Sequence, residues 1–531
     1  MRRIFIGGPK DVDDPKIFHK ISLVALLAWI GLGADGLSSS SYGPEEAFRA
    51  LGTHTYLAVF LALATALTVF IISYSYSKII EHFPHGGGGY IVATHTLGEK
   101  AGVVSGAALL IDYILTITVS IVSCGAALFS FLPLQYHVYK IPFCAALIVI
   151  LIILNLRGVK ESVTMLAPIF AVFIITHLLL IVYGITSHLS DIGPIAADMS
   201  ASISYDMKTI GLLGIMAIFI RAYSLGAGTY TGIEAVSNGL QVMREPRVQT
   251  GKRTMALMAV SLAFTAAGLF LCYMLLQVQP VHGRTLNAVV ADMLFGKWPM
   301  GNWLALITIL SEGALLFVAA QTGFIDGPRV MSNMAVDSWL PHRFASLSER
   351  LTMNNGVILM GLSSLALLFY TKGSISMLVI MYSINVFMTF SLSQLGMTRY
   401  FISHRKTEKK WKGYALVFII GLLLCLTILI IAVYEKFLHG GWVTLVITFV
   451  LVVFCYRIHN HYETVKKGAR ELDEMLLDLP TSGSKNLEPP NPKEMTAVVL
   501  VNEYNGFGIH TLLSVIRNFP KLYRNFIFIS V

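Results

Sequence analysis

The feature that most constrains this 531-residue chain is a succession of apolar stretches, each about 20 residues long. That is the length an α-helix needs to cross the hydrocarbon core of a bilayer. Twelve are found, starting near positions 18, 55, 101, 141, 162, 206, 254, 302, 355, 375, 413 and 439, and they are referred to below as spans 1 to 12. With 55% hydrophobic and only 13% charged residues, against about 25% charged in an average soluble domain, a soluble fold is excluded. Inside lipid every backbone N–H and C=O must be satisfied within the segment, so the spans are predicted to be helices and the chain an all-α polytopic membrane protein.

The first 16 residues, MRRIFIGGPKDVDDPK, are polar, and no short apolar core with a small-residue cleavage site follows them, so span 1 is expected to stay in the mature protein. The net charge of +9, from 39 Lys+Arg against 30 Asp+Glu, is distributed unevenly. The N-terminal segment and every second loop hold about 22 bases, the opposite loops about 7. This alternation predicts cytoplasmic termini, and it accounts for clusters such as Arg405, Lys406, Lys409 and Lys410 without nucleic acid. The five cysteines stand singly in apolar runs and read as packing residues. His82 and His85 flank a glycine run with no acidic or Cys ligand beside them, so no resident metal or cofactor is expected.

Two spans are interrupted. GLGADGLSSSSYG, residues 31 to 43, breaks span 1, and SLGAGTYTGIE, residues 224 to 234, breaks span 6. These would be the first members of two five-helix blocks if spans 1 to 10 form a repeat. Glycine-interrupted segments at matching positions point to a transporter binding site, because unwinding frees carbonyls and half-helix ends to face a substrate. Four acids sit in otherwise apolar sequence: Asp35 in span 1, Asp112 in span 3, Glu234 at the end of the span 6 break and Glu312 in span 8. Each costs roughly 2.5 to 3.5 kcal/mol or more at the bilayer centre, so each should face a polar cavity, pair or stay protonated.

Asp112, Thr116 and Ser120 recur every four residues and so form one polar stripe on span 3. Thr231 lies three residues before Glu234, Tyr42 seven after Asp35, and Tyr382 adds a phenol in span 10. The set supplies oxygens only, which suits a cation stripped of its water. The carboxylate of an amino-acid substrate would be repelled by an ionised Asp35. Arg221, the one base found within a span, is expected to pair with one of the four acids.

From about residue 463 a charged, helical segment and the linker LPTSGSKNLEPPNPK lead into EMTAVVLVNEY, GIHTLLSVIRNFP and RNFIFISV, which read as strand, helix, strand. Stopping on an apolar strand, this unit reads as a small α/β domain cut short. The expected organisation is a transporter domain over 1–462, a connecting helix and linker over 463–492, and the start of an α/β domain over 493–531.

FPHGGGGYIV, NLRGVKES and GTYTGIEAVSN resemble elements of the amino acid, polyamine and organocation permease superfamily. GADGLSSSSYG, LIDYILTITVS, TGIEAVSN and YSINVFMTFSLSQLG are similar to the KUP-type bacterial potassium importers, in particular the proton-coupled KimA-like branch. The resemblance spans all twelve stretches and the start of the tail. It implies a 5+5 inverted repeat with broken helices 1 and 6 plus two extra helices, working as a potassium and proton symporter by alternating access. Carried onto matching positions, Asp35, Tyr42, Asp112, Thr116, Ser120, Thr231, Glu234 and Tyr382 would line potassium sites, with Glu234 the leading proton-coupling residue. Glu312 stands where the branch implies a neutral residue and could add a second protonation site; Arg221 stands where it implies a lysine. The tail resembles a universal-stress-type domain, which implies a homodimer and a cyclic dinucleotide regulator.

The expected function is therefore proton-coupled potassium uptake. An amino acid or polyamine permease of the same fold is the alternative, with the acids holding a substrate ammonium. A membrane sensor acting through the tail is a third reading. No H-E-x-x-H or G-x-S-x-G motif points to an enzyme.

Overall fold

The computed structural model describes residues 22–84, 86, 88–437, 440–477, 489, 491–501 and 506–530. In chain order, α1 (Ala25–Gly31), α2 (Gly33–Ser38) and α3 (Gly43–Leu51) make up span 1, and α4 (Ala58–His82) is span 2. A short helix, α5 (Gly88–Leu97), precedes α6 (Glu99–Phe129), α7 (Lys140–Arg157) and α8 (Val159–Thr186), which are spans 3 to 5. The connecting helix α9 (Ile192–Thr209) leads into span 6, built from α10 (Gly211–Leu225) and α11 (Ala235–Asn238). Then come α12 (Arg247–Leu275), the short α13 (Leu286–Phe295), α14 (Gly301–Val336), α15 (Asn354–Thr371), α16 (Ile375–Ser403), α17 (Trp411–Lys436) and α18 (Gly441–Leu477). Among the described residues, eleven helices are long and apolar enough to cross a membrane, and they fall on spans 2 to 12. Span 1, with Asp35 and four consecutive serines in its break, is outside that number.

The helices are layered around α6. Of its most apolar 18-residue window 94% is buried, against 22% for the corresponding window of α18. Small side chains allow this. A Cβ on Gly106 would stand 2.7 Å from the Met334 sulfur of α14 and 2.8 Å from the Tyr90 ring of α5, and one on Gly323 would stand 2.7 Å from the Tyr113 carbonyl. In lipid, where apolar side chains gain little by meeting each other, close backbone approach through such residues is what holds helices together. Leu63, Leu67, Ile175, Leu213, Ile430 and Phe449 are exposed on the outer helices, as lipid-facing side chains are.

The chain divides into two compact units, residues 1–453 and 454–531. In the second unit β1 (Thr496–Val501) and β2 (Asn525–Ser530) pair in parallel from Thr496↔Asn525 to Val501↔Ser530, joined by the crossover helix α19 (Gly506–Asn518). The strand, helix, strand pattern is thus present. Ala497 and Val499 are buried beneath α19, while Val498 and Leu500 of the opposite face are exposed.

Candidate functional site

The serine run decides how span 1 breaks. The hydroxyls of Ser38, Ser39 and Ser40 donate to the carbonyls of Asp35 (2.9 Å), Gly36 (2.5 Å) and Leu37 (2.7 Å), three residues back in each case. Such back-bonding competes with the α-helical ladder, and Ser39–Ser41 tighten into a 3-10 turn. Pro44 then restarts the helix in the first turn of α3, where its missing N–H costs nothing.

Span 6 breaks for a related reason. After α10 the glycine-rich Gly226–Tyr230 forms a 3-10 turn, Thr231 is extended, and Gly232 takes φ +82°, a region that side chains other than glycine rarely adopt. The two breaks interlock. Ser39 Oγ donates to the Thr229 carbonyl (2.8 Å), a Cβ on Gly226 would meet Ala47, and one on Gly232 would stand 2.7 Å from Asp35 Cγ. At one end the segments are also joined by main chain, Leu23 N–H to the Val242 carbonyl (2.7 Å) and Arg244 N–H to the Leu23 carbonyl (2.8 Å).

Around this junction α6 and α16 complete a pocket of oxygens. Tyr42 Oη lies 3.4 Å from Thr231 Oγ1, Thr231 donates to the Gly228 carbonyl (2.6 Å), and Thr116 donates to Tyr382 Oη (2.9 Å). The carboxylates of Asp35, Asp112 and Glu234 lie near enough for each to feel another's charge, with Tyr42 and Tyr382 between them. All are at most 4% exposed. Asp112 and Glu234 lie close enough for their carboxyls to share a hydrogen bond when one of them is protonated, while no other described residue hydrogen-bonds to Asp35 Oδ1, to either carboxylate oxygen of Asp112, to Glu234 Oε2 or to Ser120 Oγ. Among the described residues no Lys, Arg or His forms an ion pair with any of the three acids. Buried oxygens of this kind are costly unless something positive meets them.

Seven sequence-predicted residues, Asp35, Tyr42, Asp112, Thr116, Thr231, Glu234 and Tyr382, thus come together from spans 1, 3, 6 and 10. Ser120 is buried on α6 one turn beyond Thr116. Glu312 does not join them. It is buried on α14, where it accepts from Asn287 Nδ2 (3.1 Å) and faces His177 Nε2 at 3.5 Å. Arg221 corrects the expectation made for it: its side chain is 57% exposed, and it pairs with Glu435 of α17 (3.1 Å) rather than with any of the four acids. From α10 an outward-pointing guanidinium reaches the neighbouring helix sooner than the interior.

Asp326 was hidden from sequence reasoning. It is fully buried on α14 beside the Tyr113 hydroxyl, and Arg329 Nη1 stands 3.7 Å from its Oδ1. Its setting, FIDGPRV, has the composition of a turn, yet α14 continues for 36 residues with Pro328 inside it. The signal was the acid itself. His82 donates from Nδ1 to the Lys78 carbonyl (2.9 Å), and His85 lies outside the described residues. All five cysteines are buried.

A cavity of about 430 Å³ leads to the oxygen pocket, reaching Ser41, Tyr42 and Glu312 from a rim that includes Lys140 and Arg284. Its mouth is formed by the loops after spans 3, 7 and 9, the base-poor set.

A multi-pass membrane fold, two interlocked helix breaks and a buried polar pocket define a membrane transporter. The chain belongs to the amino acid permease family, whose profile matches residues 22–455. It is similar to Potassium transporter KimA of Bacillus subtilis (strain 168), with 32% identity over 479 residues that cover 89% of this chain and 76% of that protein. Cationic amino acid transporter 4, vacuolar, of Arabidopsis thaliana is 27% identical over 346 residues, 60% of this chain and 52% of that one. Among solved structures, a mutant of the Eremococcus coleocola manganese transporter aligns over 86% of this chain and 97% of its own, with 14% identity and a TM-score of 0.46.

Proposed function

We propose that the protein takes up a dehydrated monovalent cation, potassium, coupled to protons and by alternating access. The observation that carries this reading is a pocket of three buried carboxylates with which, among the described residues, no base is paired. A cation without its hydration shell supplies the missing charge and accepts carboxylate, hydroxyl and phenol oxygens together. Asp35 and Tyr42 from the first break, Asp112, Thr116 and Ser120 from span 3, Thr231 and Glu234 from the second break, and Tyr382 from span 10 are the proposed ligands. Because both breaks contribute, rearranging either one changes the ligand set, which links occupancy to conformation. Glu234 is the leading carrier of the coupled proton. The likeness to a protein named as a potassium transporter supports the choice of cation.

The likeness to a cationic amino acid transporter favours a second reading, in which the same acids hold a substrate ammonium. In proteoliposomes the potassium reading predicts potassium-dependent uptake that falls to background in Asp35→Asn and in Asp112→Asn. Flux of labelled amino acids that ignores potassium would sink it. The termini are taken to be cytoplasmic, so that the cavity beside Tyr42 faces outward, and residues 493–531 are proposed to belong to a cytosolic α/β unit through which two copies are brought together or regulated by a cyclic dinucleotide.

A further inference from the structure

The cation pocket leaves unused one buried ionisable pair, Glu312 on α14 with His177 on α8. The side chains are 1% and 3% exposed. His177 Nδ1 stands 3.2 Å from the carbonyl of Phe173, one turn earlier on its own helix. Thr176 Oγ1 lies 3.4 Å from the same nitrogen, so Nδ1 either donates to the carbonyl or accepts from the hydroxyl. Nε2 faces Glu312 Oε2 at 3.5 Å. With one proton shared beyond the neutral ring and the carboxylate, the pair carries no net charge; without it, a net negative charge is left buried between two spans, which is costly.

The surroundings fix the carboxyl in place without supplying that proton. Tyr273 Oη donates to Asn287 Oδ1, which orients the amide so that its Nδ2 points at Glu312 Oε2 (3.1 Å). The Phe173 ring stacks on the imidazole at 3.9 Å between centroids. Glu312 also lines the cavity that reaches Tyr42. The other ionisable groups near the pair are Tyr273 and Cys272 of α12 and Cys124 of α6. Along the cavity stand Glu45, Glu46 and Arg49 of α3, then His137, Lys140, His282 and Arg284. The cavity therefore connects this pair, as well as the cation pocket, to one and the same aqueous side.

We propose that Glu312 and His177 together form a second site at which a co-transported proton is taken from the cavity and held, in addition to Glu234 and separate from the carboxylates that bind the cation. This rests on the proton-coupled reading above. The loaded pair is neutral and packs stably between α8 and α14; the empty pair leaves a buried negative charge there that favours their separation. Proton occupancy is thereby converted into the packing of two spans.

The test uses the full-length protein in proteoliposomes and two measurements on each variant: tracer potassium exchange with no pH gradient, and potassium accumulation driven by an imposed one. Glu312→Gln can still accept from Asn287 and donate to His177 Nε2, and so imitates the loaded state; His177→Gln removes the imidazole. Exchange should stay within about twofold of wild type while gradient-driven accumulation falls by about tenfold or more, the scale of a typical coupling free energy. Full accumulation in either variant overturns the assignment, and so does an equal loss of both activities in both variants, the sign of a packing role. A wild-type protein whose accumulation ignores the gradient overturns proton coupling itself, an outcome visible before any variant is read.

Discussion

Gly232 shows how much of the pocket depends on single atoms. Its φ of +82° would cost a residue with a Cβ about 1 kcal/mol or more, and that Cβ would also stand 2.7 Å from both Asp35 Cγ and Oδ2. A change as small as Gly232→Ala is therefore a demanding one: it has to displace the Asp35 carboxyl or unbend the span 6 break. Either movement spoils a ligand geometry that needs sub-ångström placement. The expected result is a potassium KM raised by about tenfold or more, with the protein still recovered from membranes in normal amount. Initial-rate uptake against potassium concentration checks it, and an unchanged KM would separate Asp35 from the binding step.

At the scale of the element, span 6 is anchored before it begins. Asp206, near the end of α9, accepts from Tyr56 Oη (2.7 Å) and pairs with His54 Nδ1 (2.6 Å), so the approach to α10 is clasped to the link between spans 1 and 2. Burial by itself raises the Asp206 carboxyl, but the hydrogen bonds from Tyr56 and His54 and the His54 charge outweigh it and hold the group below its usual range. A carboxyl lowered by folding adds stability above its unfolded pKa of about 3.9, and the contribution disappears as pH falls through the lowered folded value. Asp206→Asn should therefore melt a degree or two lower than wild type, roughly, at neutral pH, with the difference closing in strong acid. Thermal melts of detergent-solubilised protein across pH measure this directly.

For the whole molecule, the division into residues 1–453 and 454–531 separates a membrane body from a segment containing the two-stranded parallel sheet. The proposed cation pocket lies entirely within residues 1–453, so on the potassium reading the movement of ions belongs to the body. A chain ending at residue 477, which keeps all of α18, should retain potassium uptake within about threefold of the longer chain, since loss of regulation alters a set point by a coupling energy of that order rather than abolishing the cycle. A sensor predicts the reverse: a phenotype that vanishes with the tail while transport is undetectable in either form.

What the sequence alone determined follows from short-range rules. Bilayer thickness sets the span length, so the long helices were legible, and glycine and serine act on their own backbone, so the breaks at 31 to 43 and 224 to 234 were legible too. Helix period placed Asp112, Thr116 and Ser120 on one stripe. Only the tertiary structure decided which acids share a pocket: Asp35, Asp112 and Glu234 meet because two breaks interlock through Gly226 and Gly232 beside α6, whereas Glu312, equally conspicuous in sequence, turns to His177 on α8. Arg221 found Glu435 and Asp326 found Arg329 for the same reason. Partners more than a hundred residues apart, or lying within a helix whose composition resembles a turn, are chosen by how helices pack, and packing depends on side-chain shapes from several spans at once.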